Sequence, residues 1–143
     1  MSHTPNAIGR MRDIAEASKT PADCAKQILK YVKPVTATTQ VLHSQVLVAH
    51  YIRPSKSKGG IIMTDAAVQE DRFQGNCFLV IGLGKGAFKD DAIAKFNGDK
   101  LKVGDWVMAV TADGAALYIN SVPCRIFSDT RILMKVEDPG MYY

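Results

Sequence analysis

The first forty positions carry apolar residues at helical spacing. Thr20 and Pro21 supply an N-cap hydroxyl and a proline at the first helical position. The residues that follow at i, i+3, i+4 and i+7 form one apolar stripe, namely Ala25, Ile28, Leu29 and Val32. The stripe predicts a helix that ends before Pro34, and a weaker stripe predicts another from Ile8 to Ser18. The longer helix could rest on its own chain or dock on another protein, and the pattern leaves both interpretations open.

The spacing changes after a linker at residues 36–40. Short runs rich in branched and aromatic residues alternate with Gly, Asp, Asn and Ser turns, which predicts a small β-barrel or sandwich. The predicted strands are Gln45–Val48, Cys77–Ile81, Trp106–Thr111, Ala115–Ile119, Cys124–Phe127 and Ile132–Val136. The second of these is apolar at every position, which is typical of a strand buried on both faces.

One segment departs from the strand pattern. Residues 53–60 are polar and basic, and they lead through Gly59 and Gly60 into the apolar tripeptide Ile61-Ile62-Met63. Polar residues resume at 64–74. An apolar tip inside a long polar stretch is either a docking element or a short strand folded back on the barrel. We favour docking, because glycines give the tip conformational freedom and an extended apolar segment fits a groove between helices.

Composition describes one ordinary globular domain. The chain has 143 residues, 47% of them hydrophobic and 22% charged. Its net charge of +4 is spread among interleaved acids and bases, so we expect no nucleic-acid surface. No apolar run reaches the ~18 residues of a membrane span, and the N-terminus has no signal-peptide pattern. We therefore expect a cytoplasmic protein without membrane contact.

Candidate chemistry is sparse. The three cysteines have no CxxC spacing, and the three histidines have no metal-ligand spacing, so we expect neither a disulfide framework nor a metal site. A nucleophilic pair such as Cys124 with His50 has no support from the sequence. The glycines of residues 82–86 lack the Gly-Lys-Ser/Thr ending of a phosphate loop. We expect them to form a tight turn with positive φ, and we expect no enzyme and no cofactor.

The order of the β motifs resembles the GroES co-chaperonin family. Five segments carry the resemblance: the opening strand at 42–48, the loop at 58–64, the strand and Gly-x-Gly turn at 78–84, the Lys-Val-Gly-Asp turn at 102–105, and the closing strand from Ser128. The resemblance implies a small GroES-like β-barrel with a mobile loop, preceded by a helical extension. We expect an extension and linker at 1–40, the barrel at 41–137 and a tail at 138–143.

The same resemblance implies the function and its residues. It implies a ring of seven subunits that caps a GroEL-type chaperonin and assists protein folding without catalysis. The chaperonin-docking residues would be Gly59, Gly60, Ile61, Ile62 and Met63. Neighbouring subunits would pair through exposed edges of the opening and closing strands, at Val46, Leu47, Val48, Ile132, Leu133 and Met134. Trp106 would pack in or beside the barrel, with a subunit interface as the alternative.

The first forty residues have no counterpart in ordinary members of that family. They suggest a divergent member, for which a bacteriophage origin is one explanation. A second hypothesis follows from this: a virion structural protein, such as a capsid decoration or head–tail component, built on the same barrel with capsid proteins as its partners. We also expect residues 1–40 to be an appendage outside the barrel core.

Overall fold

The computed structural model describes residues 7–53, 76–89 and 100–142. Two helices, α1 (Ala7–Ala17) and α2 (Pro21–Thr36), precede a single antiparallel sheet. Its six strands are β1 (Gln45–His50), β2 (Cys77–Leu83), β3 (Trp106–Ala109), β4 (Ala115–Ile119), β5 (Val122–Ser128) and β6 (Ile132–Val136). These elements confirm the predicted helices and strands, with ends that shift by at most three residues.

Helix α2 begins as its sequence predicts and ends later. The Thr20 hydroxyl accepts a hydrogen bond from the Asp23 amide at 3.2 Å, and the Asp23 carboxylate accepts one from the Lys19 amide at 3.2 Å. The predicted end before Pro34 is wrong, because the helix continues through this proline to Thr36. A proline in the last turn removes one main-chain hydrogen bond at an exposed position, which leaves the remaining turn intact.

The sheet has the strand order β4-β5-β1-β2-β3-β6, so β1 and β2 lie at its centre. Among the described residues β4 and β6 are its two edges and do not pair with each other. Alternate residues of each strand point to opposite faces. Both faces of β2 are covered, since Cys77 to Ile81 are all buried, and this confirms the prediction from its continuous apolar run.

One face of the sheet is covered by the two helices. Ile14 of α1 and Ile28 and Val32 of α2 are fully buried. They share one core with sheet residues that include Leu47, Ala49, Leu79, Trp106 and Cys124. We call this cluster the helix-covered core. The stripe on α2 therefore rests on its own chain, and the expectation that the helices lie outside the core is wrong. A sheet face this apolar needs a cover, and α1 and α2 supply it.

The opposite face forms a second core. Its buried residues come from β1, β2, β3 and β5, and turn residues such as Ala87 and Leu101 contribute to it. Phe78 and Phe127 meet edge to face with ring centroids 5.3 Å apart, a geometry that adds roughly 0.5–1.5 kcal/mol beyond burial. The sheet is thus buried on both sides around β1 and β2.

A buried arginine attaches the helices to the turn between β4 and β5. Arg10 is only 7% exposed, and its Nε donates a hydrogen bond to the Asn120 carbonyl oxygen at 3.1 Å. The Asn120 side chain in turn donates to the Tyr31 carbonyl at 3.1 Å. The Arg10 guanidinium also stacks 3.8 Å from the centroid of the Tyr31 ring. One cluster therefore joins α1, α2 and the sheet.

The glycines of the turn after β2 are required for a different reason from the one we expected. Among the described glycines, only Gly104 has a positive φ, of 101°. The expectation of positive φ within residues 82–86 is therefore wrong. Gly84 instead lies against the main chain before β1, where a Cβ would overlap the carbonyl oxygen of His43. The amides of Gly84 and Gly86 donate to the carbonyls of Gln45 and His43, so these amides are already occupied and are not available to a phosphate.

Candidate partner-docking site

Strands β1 and β2 bring together the two ends of residues 54–75. His50 pairs with Phe78 across the two strands, and the Tyr51 amide donates to the Cys77 carbonyl at 3.0 Å. The chain that leaves β1 at Arg53 and the chain that enters β2 at Asn76 are therefore neighbours. We call this place the loop root. Residues 54–75 are therefore joined to the sheet at this place.

Aromatic packing and hydrogen bonds hold the loop root. Tyr51 and Trp106 meet edge to face, with ring centroids 5.2 Å apart and an interplanar angle of 83°. The Asn76 carbonyl accepts from the Ala109 amide at 3.0 Å, and its side-chain oxygen accepts from the Thr111 hydroxyl at 3.2 Å. Trp106 is 7% exposed within its own chain, which confirms that it packs in the domain and leaves little of it to anchor a neighbour.

Helix α2 also contacts the loop root. The Cys24 thiol donates to the Ile52 carbonyl oxygen at 3.4 Å, and burial raises the pKa of Cys24 to about 12. The thiol is thus neutral near pH 7 and acts as a donor rather than a nucleophile. Sequence reasoning missed this contact, because 28 positions separate the two residues and no local pattern connects them.

The five residues predicted to dock on a partner lie outside the described residues. Gly59, Gly60, Ile61, Ile62 and Met63 fall between Arg53 and Asn76. Their docking role stays a prediction from the sequence. What the described residues supply is the root from which that segment begins and to which it returns.

The closing strand has a free edge among the described residues. β6 pairs with β3 along one side, from Trp106↔Val136 to Ala109↔Ile132, and the described chain places no strand on its other side. Leu133 is 61% exposed and Met134 38% exposed. An exposed edge with apolar side chains invites strand pairing with another chain. The subunit contact predicted at Ile132, Leu133 and Met134 is thus sterically open and stays a prediction.

The opening strand does not have such an edge. β1 is hydrogen-bonded to β2 on one side and to β5 on the other. Val46, Leu47 and Val48 are at most 2% exposed within the single chain. The prediction that these residues lie on an exposed edge is wrong, because β5 of the same chain already occupies that edge.

The residues weighed for catalysis lie apart. Cys124 belongs to the helix-covered core, whereas the His50 ring contacts Phe78 of the second core on the other face. Burial raises the pKa of Cys124 to about 12, so it has little thiolate. Among residues 7–53, 76–89 and 100–142, no group of three or more His, Cys, Asp or Glu side chains could hold a metal ion. No helix in the described part of the chain is long and apolar enough to cross a membrane.

Comparison with known proteins gives one family. Residues 38–136 match the family model described as "Chaperonin 10 Kd subunit". The matched range begins just after α2 and ends with β6, so it contains the whole sheet and leaves both helices outside. The helical cover described above is therefore an addition to the matched region.

Individual relatives agree with the family model. The chain is 36% identical over 87 residues to the protein named "Co-chaperonin GroES" of Maricaulis maris. The aligned region covers 57% of this chain and 87% of the relative. It is 39% identical over 83 residues to proteins of the same name from Cereibacter sphaeroides and Rhodopseudomonas palustris. Each of these aligned regions covers 54% of this chain and 83% of the relative.

Proposed function

We propose that this chain, which belongs to the chaperonin 10 kDa subunit family and is a GroES-type co-chaperonin, works as a ring-shaped lid on a GroEL-type chaperonin. The observation that carries the proposal is the family match across the complete sheet. The loop root supports it, because both ends of residues 54–75 are held at one place on that sheet. Members of this family are not enzymes, and the chain needs no catalytic group for this task.

The mechanism is non-covalent. The tripeptide Ile61-Ile62-Met63 supplies apolar side chains to a groove of the chaperonin, and each buried side chain contributes roughly 1.5–3 kcal/mol. One such loop binds weakly. A ring presents several loops at once, and linked binding raises the overall affinity by roughly 10²–10⁴. The docked loops displace substrate from the same apolar surface and close the chamber, while nucleotide hydrolysis belongs to the partner.

The ring itself is part of the proposal. No described strand pairs with the outer edge of β6, and this edge would offer its main-chain groups and the exposed side chains of Leu133 and Met134 to a neighbouring copy. Pairing there would also protect an edge that otherwise favours aggregation. Since β1 is closed on both sides, the surface that receives β6 must be another part of the neighbour. We place the activity in the cytoplasm, with the chaperonin.

The test is the substitution Ile62→Ser in the full-length protein, with Val103→Ser as its matched control. Both replace an aliphatic side chain by serine, and Val103 is 48% exposed at the turn before β3. We expect Ile62→Ser to lose at least about tenfold in affinity for a GroEL-type chaperonin in the presence of nucleotide, because the loss is repeated in every subunit. The control should bind as the parent does, and both variants should keep the parent's melting temperature.

Two outcomes would overturn the proposal. One is unchanged chaperonin binding by Ile62→Ser, and the other is absence of binding by the parent at micromolar concentrations. The virion hypothesis and the bacteriophage origin stay predictions of the sequence. Parent protein that fails to bind a chaperonin but assembles with capsid proteins would favour them instead.

A further inference from the structure

An open cleft of about 440 Å³ lies between the end of α2 and the central strands. Its floor is apolar and its rim carries two lysines, Lys33 and Lys85. The apolar residues that line it are Val41 and Leu83, which are partly exposed, and Leu47 and Ile81, which are almost fully buried. Its volume falls within the ~300–1,000 Å³ typical of sites that hold small ligands. The α2 side of this cleft lies outside the region that matches the family model, which begins at residue 38.

Among the described residues that line the cleft, the charged ones are Lys33 and Lys85. Lys26, Lys30 and Lys33 recur at i, i+4 and i+7 on the exposed side of α2, so they lie on one face of the helix. Lys85 stands on the opposite rim of the cleft and is also exposed. No carboxylate among the described residues lies within ion-pair distance of Lys33 or Lys85. Within the described part of the chain, the rim therefore presents two cations without an ion-pair partner above an apolar floor.

The helix dipole opposes this positive charge only in part. The C-terminal end of α2 carries partial negative charge on its free carbonyl groups. Threonine hydroxyls from the chain itself occupy two of them: Thr36 donates to the Lys33 carbonyl at 3.4 Å, and Thr39 donates to the Val35 carbonyl at 2.9 Å. The Ala37 amide also donates to the Lys33 carbonyl, at 2.9 Å. The full charges of the lysines then dominate the rim.

We propose that this cleft is a docking site for an acidic polypeptide segment that inserts a bulky aliphatic side chain between α2 and the sheet. Carboxylates on either side of that side chain would pair with Lys33 and Lys85. A polypeptide fits better than a nucleic acid, because the described residues of the floor offer aliphatic side chains for burial and no aromatic platform on which a base could stack. The site is separate from the loop root, so it provides a second contact surface on the same subunit.

The probe is a set of fluorescein-labelled peptides in which a leucine pair is flanked by aspartates at varied distances. Fluorescence anisotropy with the full-length protein should show saturable binding of at least one member below about 1 mM. Replacing its leucines by serine, or its aspartates by lysine, should weaken binding by about tenfold or more. Raising the salt concentration should weaken it as well, because rim charges are screened.

Three variants locate the site. Lys33→Gln/Lys85→Gln removes both rim charges, and Ala37→Trp places a bulky ring at a residue that lines the cleft. Each should weaken the best peptide about tenfold. The matched control Lys19→Gln/Lys102→Gln removes the same charge from exposed positions elsewhere and should bind as the parent does. The melting temperature, read by circular dichroism, verifies that each variant is folded.

The competing occupants are outcomes of the same experiment. Failure of every peptide to saturate overturns the proposal, as does equal binding to the cleft variants and the parent. A single-stranded oligonucleotide that binds more tightly than the peptides, and that loses affinity in the same variants, would make the surface a nucleic-acid site. Direct binding of octanoate, measured by calorimetry, without any peptide binding would overturn the proposal and make the cleft a small-carboxylate site. Chaperonin binding by the cleft variants is measured separately, so that either proposal can fail alone.

Discussion

Replacing Ile28 by Ala tests whether the helical cover stabilises the sheet. Ile28 lies in the middle of α2 and is 0% exposed, in one core with Leu47, Leu79 and Cys124 of the sheet. Replacing a buried isoleucine by alanine lowers the free energy of unfolding by about 2–5 kcal/mol, because the surrounding side chains fill the cavity only in part. Alanine is the better helix former by a few tenths of a kcal/mol. Helix propensity alone therefore predicts a small gain, and tertiary packing predicts a large loss.

The expected change is large enough to measure by unfolding. A loss of about 3 kcal/mol lowers the melting temperature of a chain of this size by roughly 6–12 °C. Trp106 is the single tryptophan and lies on β3, so its fluorescence reports on the unfolding of the sheet. Parent and variant are compared at one protein concentration, because subunit association shifts apparent stability.

Lys30→Ala is the matched control on the same helix. Lys30 is exposed, and surface substitutions of this kind usually change stability by less than about 0.5 kcal/mol. A variant Ile28→Ala that melts within about 1 °C of the parent by Trp106 fluorescence would refute the reasoning. The helices would then be an appendage whose removal leaves the sheet unchanged.

The remaining predictions concern a glycine and two thiols. Gly84→Ala should lower the free energy of unfolding by more than about 1 kcal/mol in urea titrations, since its Cβ would overlap a main-chain carbonyl oxygen; unchanged stability would contradict the close approach. Cys24 and Cys124, with pKa values near 12, should resist a thiol reagent at pH 8 in the native protein and react once it is unfolded; rapid native labelling of either would contradict their burial. The same two pKa values predict a stability that falls as pH rises from about 9 towards 12, because the folded protein retains thiol protons that the unfolded chain releases.

The strands could be predicted from sequence because their signal is local. The runs of branched and aromatic residues and the turn residues between them placed β4 and β6 at their observed bounds, and the unbroken apolar run at Cys77–Ile81 correctly indicated burial on both faces. That run also implied a cover for the outer face. The apolar stripe of α2 needed a surface to cover. To predict that the α2 stripe covers this face of β2, one must know which distant segments of the chain meet. The spacing of apolar residues within one segment does not contain that information.

The wrong predictions for the edge of β1 and for the glycines of residues 82–86 have the same origin, because both depend on contacts between distant segments. Whether β1 is an edge depends on the strand order, and β5 follows β1 by more than seventy positions along the chain. The Gly84 environment depends on the main chain before β1, so the local glycine pattern indicated a turn and could not specify the reason for it. The docking residues Gly59 to Met63 were inferred from an apolar tip and a family resemblance, and they remain a prediction.

The most direct measurement of the central claim is native mass spectrometry of the full-length protein mixed with a GroEL-type chaperonin and nucleotide. The account predicts a closed ring of this chain alone, and a complex in which one complete ring adds to an end of the chaperonin. It also predicts that Ile62→Ser forms the ring and loses the complex. A parent protein that stays monomeric at micromolar concentration, or a ring that forms no complex with the chaperonin, would contradict it.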